Sequence, residues 1–245
     1  MRHLTSYERL RLLLEPFFPP LYAQVRRHLL EAVKFRRPGV RMLDVGCRTS
    51  PYTIGVPARL VLTDLPKTTE IQVQYYLGLT GEMVRRLYEK RSNVELVLFD
   101  DMTCSSMKTG QFGCVIAVEV LEHVERDDLF VAEVQRVLEK GGVFLMTTPN
   151  GDYVVNKYPD HKRHYTREQL RDLLSMYFED VQVDYTIRSG RFFKWGHDSW
   201  SPKHPLRTAK SMASNFASSL QSRGDAIRRQ GQGTAHLIAV ARKSE

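Results

Sequence analysis

The feature that most constrains this chain is a succession of short apolar runs separated by stretches with a different period. VRMLDV (40–45), RLVLTD (59–64), VELVLFD (94–100), CVIAVEV (114–120) and VFLMTTP (143–149) are too short for buried helices and too continuous for strands with one wet face. They read as strands covered on both faces. Between several of them the period becomes helical. From Asp127 to Lys140 the apolar residues Phe130, Val131, Val134, Val137 and Leu138 share a helical stripe, acids occupy the first turn, and Lys140 before Gly141-Gly142 predicts the stop. Thr166 with Gln169 makes a capping-box pattern opening a helix over TREQLRDLLSMYF, VQVDYTI alternates as a strand, and AHLIAVARK (235–243) supplies the last strand. Such alternation predicts an α/β fold with a doubly wound, mostly parallel sheet and a ligand site beyond the carboxyl ends of the strands.

Two pieces fall outside the alternation. Residues 1–38 read as two helices separated by PFFPP, expected to cap the ligand crevice, and 188–234 form a long insertion before the last strand. The remainder, 39–245, reads as one domain carrying that insertion, and a 245-residue chain that is 42% hydrophobic can bury its core. Charge divides along the same lines. Residues 1–41 hold nine Lys/Arg against three Asp/Glu, 42–187 hold sixteen against twenty-two, and 188–234 hold nine against two. Basic flanks around an acidic middle suit an acidic small substrate, nucleic acid or an anionic membrane surface. Three cysteines without CxxC spacing fit reduced thiols, and no zinc or other metal site is expected. No apolar run approaches the roughly 18 residues that span a bilayer, and the N-terminus does not resemble a signal peptide, so a cytoplasmic location is expected.

The chemistry sits at the strand ends. Asp64 closes the second strand twenty residues after Asp44, the spacing at which an acid in a Rossmann-type unit accepts hydrogen bonds from ribose hydroxyls. The third strand ends in Asp100-Asp101, where a carboxylate suits an adenine amine, and the fourth ends in Glu119. Asp44, Asp64, Asp101 and Glu119 would repel a pyrophosphate, and the loop after the first strand lacks both GxGxxG and GxxxxGK[ST]. A cationic adenosyl cofactor is the reading that remains.

In order, LDVGC (43–47), LTDLP (62–66), FDDM (99–102), VEVLEHV (118–124), LEKGGVFLMTTPN (138–150) and HKRHYTREQL (161–170) resemble the class I S-adenosylmethionine-dependent methyltransferases, in the group with an EVLEH segment. The resemblance covers roughly residues 40–187 and the final strand. It implies a seven-stranded Rossmann-like sheet with an antiparallel last strand. It also implies S-adenosylmethionine as cofactor, held at Asp44, Gly46 and Cys47, with the ribose at Asp64 and Leu65, adenine at Asp101 and Met102, and further contact at Glu119.

Arg48 departs from that pattern, which usually has a second glycine there. One reading keeps Arg48 in an ordinary backbone conformation with its guanidinium aimed at a carboxylate of cofactor or acceptor. Others leave it in solvent, or take it to mark a site without turnover. His123, His161 and His164, with Tyr165 nearby, fall in loops expected at the catalytic edge, where an imidazole could take a proton from an acceptor hydroxyl. Glu122 reads as a helix-start acid. The leading expectation is methylation of a small-molecule acceptor, at oxygen of a sugar, an acidic or lipid-linked glycan, or a secondary metabolite. RNA methylation, with Trp195, Phe192 and Phe193 available for stacking, and a non-catalytic cofactor-binding protein are the alternatives.

Overall fold

A computed structural model describes residues 3–34, 39–68, 78–198 and 200–245. Residues 1, 2 and 35–38 of the expected N-terminal cap, and Ser199 of the insertion, lie outside the described residues. The described elements run α1 (Ser6–Leu13), α2 (Pro20–Lys34), β1 (Arg41–Val45), β2 (Arg59–Asp64), α3 (Gly81–Lys90), β3 (Val94–Phe99), β4 (Phe112–Val118), α4 (Asp127–Val137), β5 (Leu138–Pro149), α5 (Arg167–Ser175), β6 (Asp180–Arg188), α6 (Arg191–Gly196), α7 (Pro205–Gln221), α8 (Asp225–Arg229) and β7 (Thr234–Arg242). The seven strands form one sheet in the order β3-β2-β1-β4-β5-β7-β6. β1 to β5 are parallel, and β7 runs antiparallel to both β5 and β6.

Strand alternation divides the core into two layers. Leu43, Val45, Val115, Ala117, Phe144 and Met146 face α4 and α5, whose Phe130, Val134, Leu170 and Leu174 fill that side. Met42, Leu60, Ile116, Leu145 and Ile238 face the other side. There α2 buries Leu21, Val25, Leu29 and Val33, a stripe with a four-residue repeat. The second N-terminal helix is therefore a layer of the fold, and only its first turn reaches the crevice.

The Thr166 capping box is present: Thr166 Oγ1 accepts from Gln169 N–H and the Gln169 side chain accepts from Thr166 N–H. The helix expected over 127–140 ends earlier, at Val137, because Leu138 is already extended (φ −69°, ψ 137°) and begins a twelve-residue β5. Gly141, at φ +65°, lets the chain turn at the start of that strand, where the β4–β5 register shifts. Lys243 Nζ donates to the carbonyls of Gln135 and Leu138, capping the end of α4 from β7. The insertion folds into α6, α7 and α8 and packs on the N-terminal segment, with Phe18 stacked on Trp200 at 5.0 Å.

Candidate active site

A cavity of about 1060 Å³ opens at the carboxyl ends of β1 to β4. Asp64, Asp100, Asp101 and Glu119 line it, together with Gly46, Cys47, Arg48, Leu65 and Met102. Gly46 sits at φ +65°, and a Cβ there would lie 2.5 Å from Val120 Cγ2. A bare backbone is required at that point. Asp64 is fixed by two backbone donors, Leu65 N–H on Oδ1 at 2.8 Å and Arg48 N–H on Oδ2 at 3.2 Å, leaving lone pairs on both oxygens. Burial raises its pKa above the usual carboxylate value, against the pull of those donors and of Arg48. Asp101 Oδ1 accepts from Thr103 N–H and Oγ1, which orients the carboxylate at the rim.

Arg48 does not adopt an ordinary backbone conformation. It stands at φ +41°, and Ser50 follows at +43°, so the loop keeps the left-handed geometry that glycine would take without cost. Burial raises the pKa of Tyr22 on α2, and the positive charge of Arg48 pulls it back. Both residues line the cavity.

Asp44 is fully buried and lies behind the loop, outside the cavity wall, because its strand parity matches Met42 and points it toward the α2 layer. There it accepts from Ser50 Oγ and from Tyr52 OH at 3.0 Å. Burial raises its pKa to about 7, opposed by those hydroxyls and by Arg91. Arg91, unremarked in the sequence, donates to Ser50 O at 2.9 Å and Thr53 Oγ1 at 2.8 Å and clamps the loop from beneath.

Glu119 lies just past β4 at φ +55°. Its Oε1 accepts from Thr147 Oγ1 at 2.9 Å and its Oε2 lies 3.1 Å from His236 Nδ1. Burial opposes its ionisation, yet His236 and Thr147 hold its pKa below the usual carboxylate value. Glu122, expected to start a helix, belongs instead to the single 3-10 turn Leu121–His123 and is fully buried. Burial, with Glu119 nearby, raises its pKa well above the usual value, and its Oε2 accepts from Thr148 Oγ1 at 3.1 Å.

Of the three histidines, His123 lines the cavity, with Nδ1 3.2 Å from Asp160 Oδ2. His161 and His164 stand behind it, off the wall. The His161 ring meets His123 edge-on at 4.6 Å, its Nδ1 lies 2.8 Å from His164 Nε2, and His164 Nδ1 lies 2.9 Å from the Val154 carbonyl. Burial, then the neighbouring His123, lowers the pKa of His161. Tyr165 is buried and donates to Asp127 Oδ2, which ties the loop to α4. Lys162 N–H donates to Glu122 O and draws the two loops together. As a result Glu122, His123 and His161 bring donor atoms within 4.8 Å of one another, and Glu122 Oε1, His123 Nδ1 and Asp160 Oδ1 are buried without a hydrogen-bond partner. Two imidazoles and a carboxyl could hold a divalent cation, a grouping the sequence did not suggest.

The far wall comes from distant segments: Tyr22 from α2, Phe193 and His197 from the α6 region, Asn215 from α7 and His236 from β7. None carried a motif. His236 could have been found only as the single histidine in an otherwise apolar final strand.

Residues 43–146 match the family described as a methyltransferase domain. The fold agrees with that of solved structures that cover nearly the whole chain. A possible histamine N-methyltransferase from Thermotoga maritima has a TM-score of 0.57 at 17% identity, covering 98% of this chain and 95% of its own. Residues 43–146 therefore carry a methyltransferase domain match, on a sheet with the fold of these structures. The chain also overlays on Haemonchus contortus phosphoethanolamine N-methyltransferase 2 (TM-score 0.58, 18% identity, 90% of this chain and 52% of that one), solved with S-adenosyl-L-methionine. Among curated relatives, a 37.1 kDa transposon-encoded protein of Streptomyces fradiae is 34% identical over 134 residues, covering 54% of this chain and 37% of its own. A ubiquinone biosynthesis O-methyltransferase of Bradyrhizobium is 25% identical over 183 residues, 66% of each chain. The chain thus spans between about a third and two thirds of these relatives' lengths.

Proposed function

We propose that the chain transfers a methyl group from S-adenosylmethionine to a hydroxyl of a small-molecule acceptor. The observation that carries this reading is one cavity lined by Gly46, Asp64 and Asp101 together with His123, Glu119 and His236. The residues fit the cofactor: Gly46, at φ +65° against Val120, keeps a bare backbone on the cavity lining, and the free lone pairs of Asp64 suit paired ribose hydroxyls. Asp101 and Met102 would hold the adenine, with Cys47, Arg48, Leu65 and Glu119 framing the rest. Asp44 would act from behind, holding Ser50 and Tyr52 so that the loop keeps its shape. When bound, S-adenosylmethionine supplies an electrophilic methyl on a sulfonium.

The chain's own work is to orient the acceptor hydroxyl, exclude water and take its proton. His123 is the base in this reading, beside Asp160, with His161 and His164 as positioning residues that keep its ring in place. The relatives named ubiquinone biosynthesis O-methyltransferase support oxygen as the methylated atom, and the basic composition of residues 188–234 supports an acidic or lipid-linked acceptor. A cytoplasmic location belongs to the same proposal; its support is three cysteines without CxxC spacing.

The test is turnover of radiolabelled S-adenosylmethionine against hydroxyl acceptors that include ubiquinone precursors, with total RNA in parallel. His123→Ala should abolish transfer while leaving cofactor affinity intact. Methylation of RNA alone would overturn the small-molecule assignment.

A further inference from the structure

Helix α7 is built inside out. Its inward face carries Ser211, Ser214, Asn215 and Ser218, all buried. Its outward face carries Leu206, Ala209, Ala213, Phe216 and Leu220, spaced by three and four residues and exposed, Leu206 to 86%. The inward face docks by hydrogen bonds and close fit. Ser211 Oγ bonds to the carbonyls of Gly196 and Asp198 at 2.9 Å, and Asn215 Nδ2 donates to Gly196 O at 3.2 Å. The apolar side chains of α7 therefore contribute little to the fold, and they lie together on the surface.

The patch extends beyond α7. Phe17, whose ring is 6.1 Å from Phe216, belongs to the turn that follows Leu13, itself 74% exposed. On α6, Trp195 and Phe192 are also exposed, and Lys210 Nζ of α7 sits 4.5 Å over the Trp195 ring. Lys203 just before α7, and Arg207 and Lys210 within it, are exposed as well, in a segment (188–234) that holds nine Lys/Arg against two Asp.

We propose that this face docks on an anionic lipid bilayer, with α7 lying in the plane of the interface. Leucine and aromatic side chains on one face, bordered by lysine and arginine, are what an interfacial helix needs: apolar area to insert and positive charge to meet lipid headgroups. A second copy fits less well, because a two-fold contact would set one strongly basic face against another. No described helix is long and apolar enough to cross a membrane, so contact would be lateral. The same helices present Phe193, Gly196 and Asn215 to the cavity, so one side of the layer would touch lipid and the other the site. The surface itself carries the inference, whatever the acceptor.

The experiment is sedimentation of the full chain with vesicles of phosphatidylcholine alone or mixed with phosphatidylglycerol. Binding should appear with the mixed vesicles and fall with added salt. Leu206→Ser/Phe216→Ser/Leu220→Ser should weaken it by about tenfold or more, and Lys203→Gln/Lys210→Gln should reduce the preference for phosphatidylglycerol. Cofactor titration and circular dichroism on the same samples should be unchanged, which separates this surface from the reaction. Absence of vesicle binding by the folded wild type, or equal binding by the triple variant, would overturn the proposal. Sedimentation equilibrium showing a dimer that the triple variant dissolves, without vesicle binding, would assign the face to a second copy.

Discussion

His236 Nδ1 lies 3.1 Å from Glu119 Oε2, so the last strand holds a residue 117 positions earlier in the chain. β5 lies between their strands and contributes Thr147, which donates to the other carboxylate oxygen. Three neighbouring strands thereby fix one carboxylate at the cavity wall.

Replacing His236 with Ala should cost about 1–2 kcal/mol in urea unfolding at pH 7, because the partly buried Glu119 carboxylate loses the partner 3.1 Å from its Oε2. The depressed Glu119 pKa sets the sign. Its contribution is full above the unfolded carboxylate value and is lost as pH falls through the lower folded one, so the deficit should shrink in acid. A deficit independent of pH would rule out the ionic contribution.

Asp64→Ala should weaken S-adenosylmethionine binding by about 1.5–3 kcal/mol, measured by calorimetry, since it removes an acceptor positioned by Leu65 and Arg48 N–H groups. Asp64→Asn keeps one acceptor oxygen and should fall between. Unchanged affinity in a folded Ala variant would dismiss Asp64 as the ribose partner.

With Arg48 at φ +41°, Arg48→Gly should raise thermal stability by about 1 kcal/mol through relief of left-handed strain, while Arg48→Ala should not. Cofactor titration of the two variants isolates the guanidinium. If both weaken binding equally, its charge matters; if Ala leaves binding unchanged while Gly alters it, loop geometry does.

Asp44 is buried, with a pKa raised to about 7. Between the unfolded carboxylate value and about pH 7 the folded state retains a proton that the unfolded chain has released, so stability should fall as pH rises through that window, by an amount on the order of 4 kcal/mol. Asp44→Asn, which cannot ionise, should flatten this slope in melting scans from pH 4 to 8. A slope that survives the substitution would mean other buried acids, Glu122 foremost, set it.

The sheet was legible from the sequence because two-sided burial demands continuous apolar runs, and the Thr166 cap because its partners are three residues apart. Asp64, Asp101, Glu119 and Gly46 reach the cavity because chain direction alone places strand ends at one edge. Asp44 could not be assigned that way, since strand parity turns its side chain away from the crevice. Nor could the end of α4 be read to the residue, because Lys243, over a hundred residues away, caps its last carbonyls. His236, Tyr22, Phe193 and Asn215 meet the site through long-range packing that leaves no local period, and the turn at Glu122 converges with the His161 loop through one backbone hydrogen bond. The sequence by itself determined what local periodicity and short-range capping encode, which is the strands, most of the helices and the cofactor edge. Only the tertiary structure decided which distant side chains share the cavity and which face of α7 is left to the surroundings, because those depend on contacts between residues far apart in the chain.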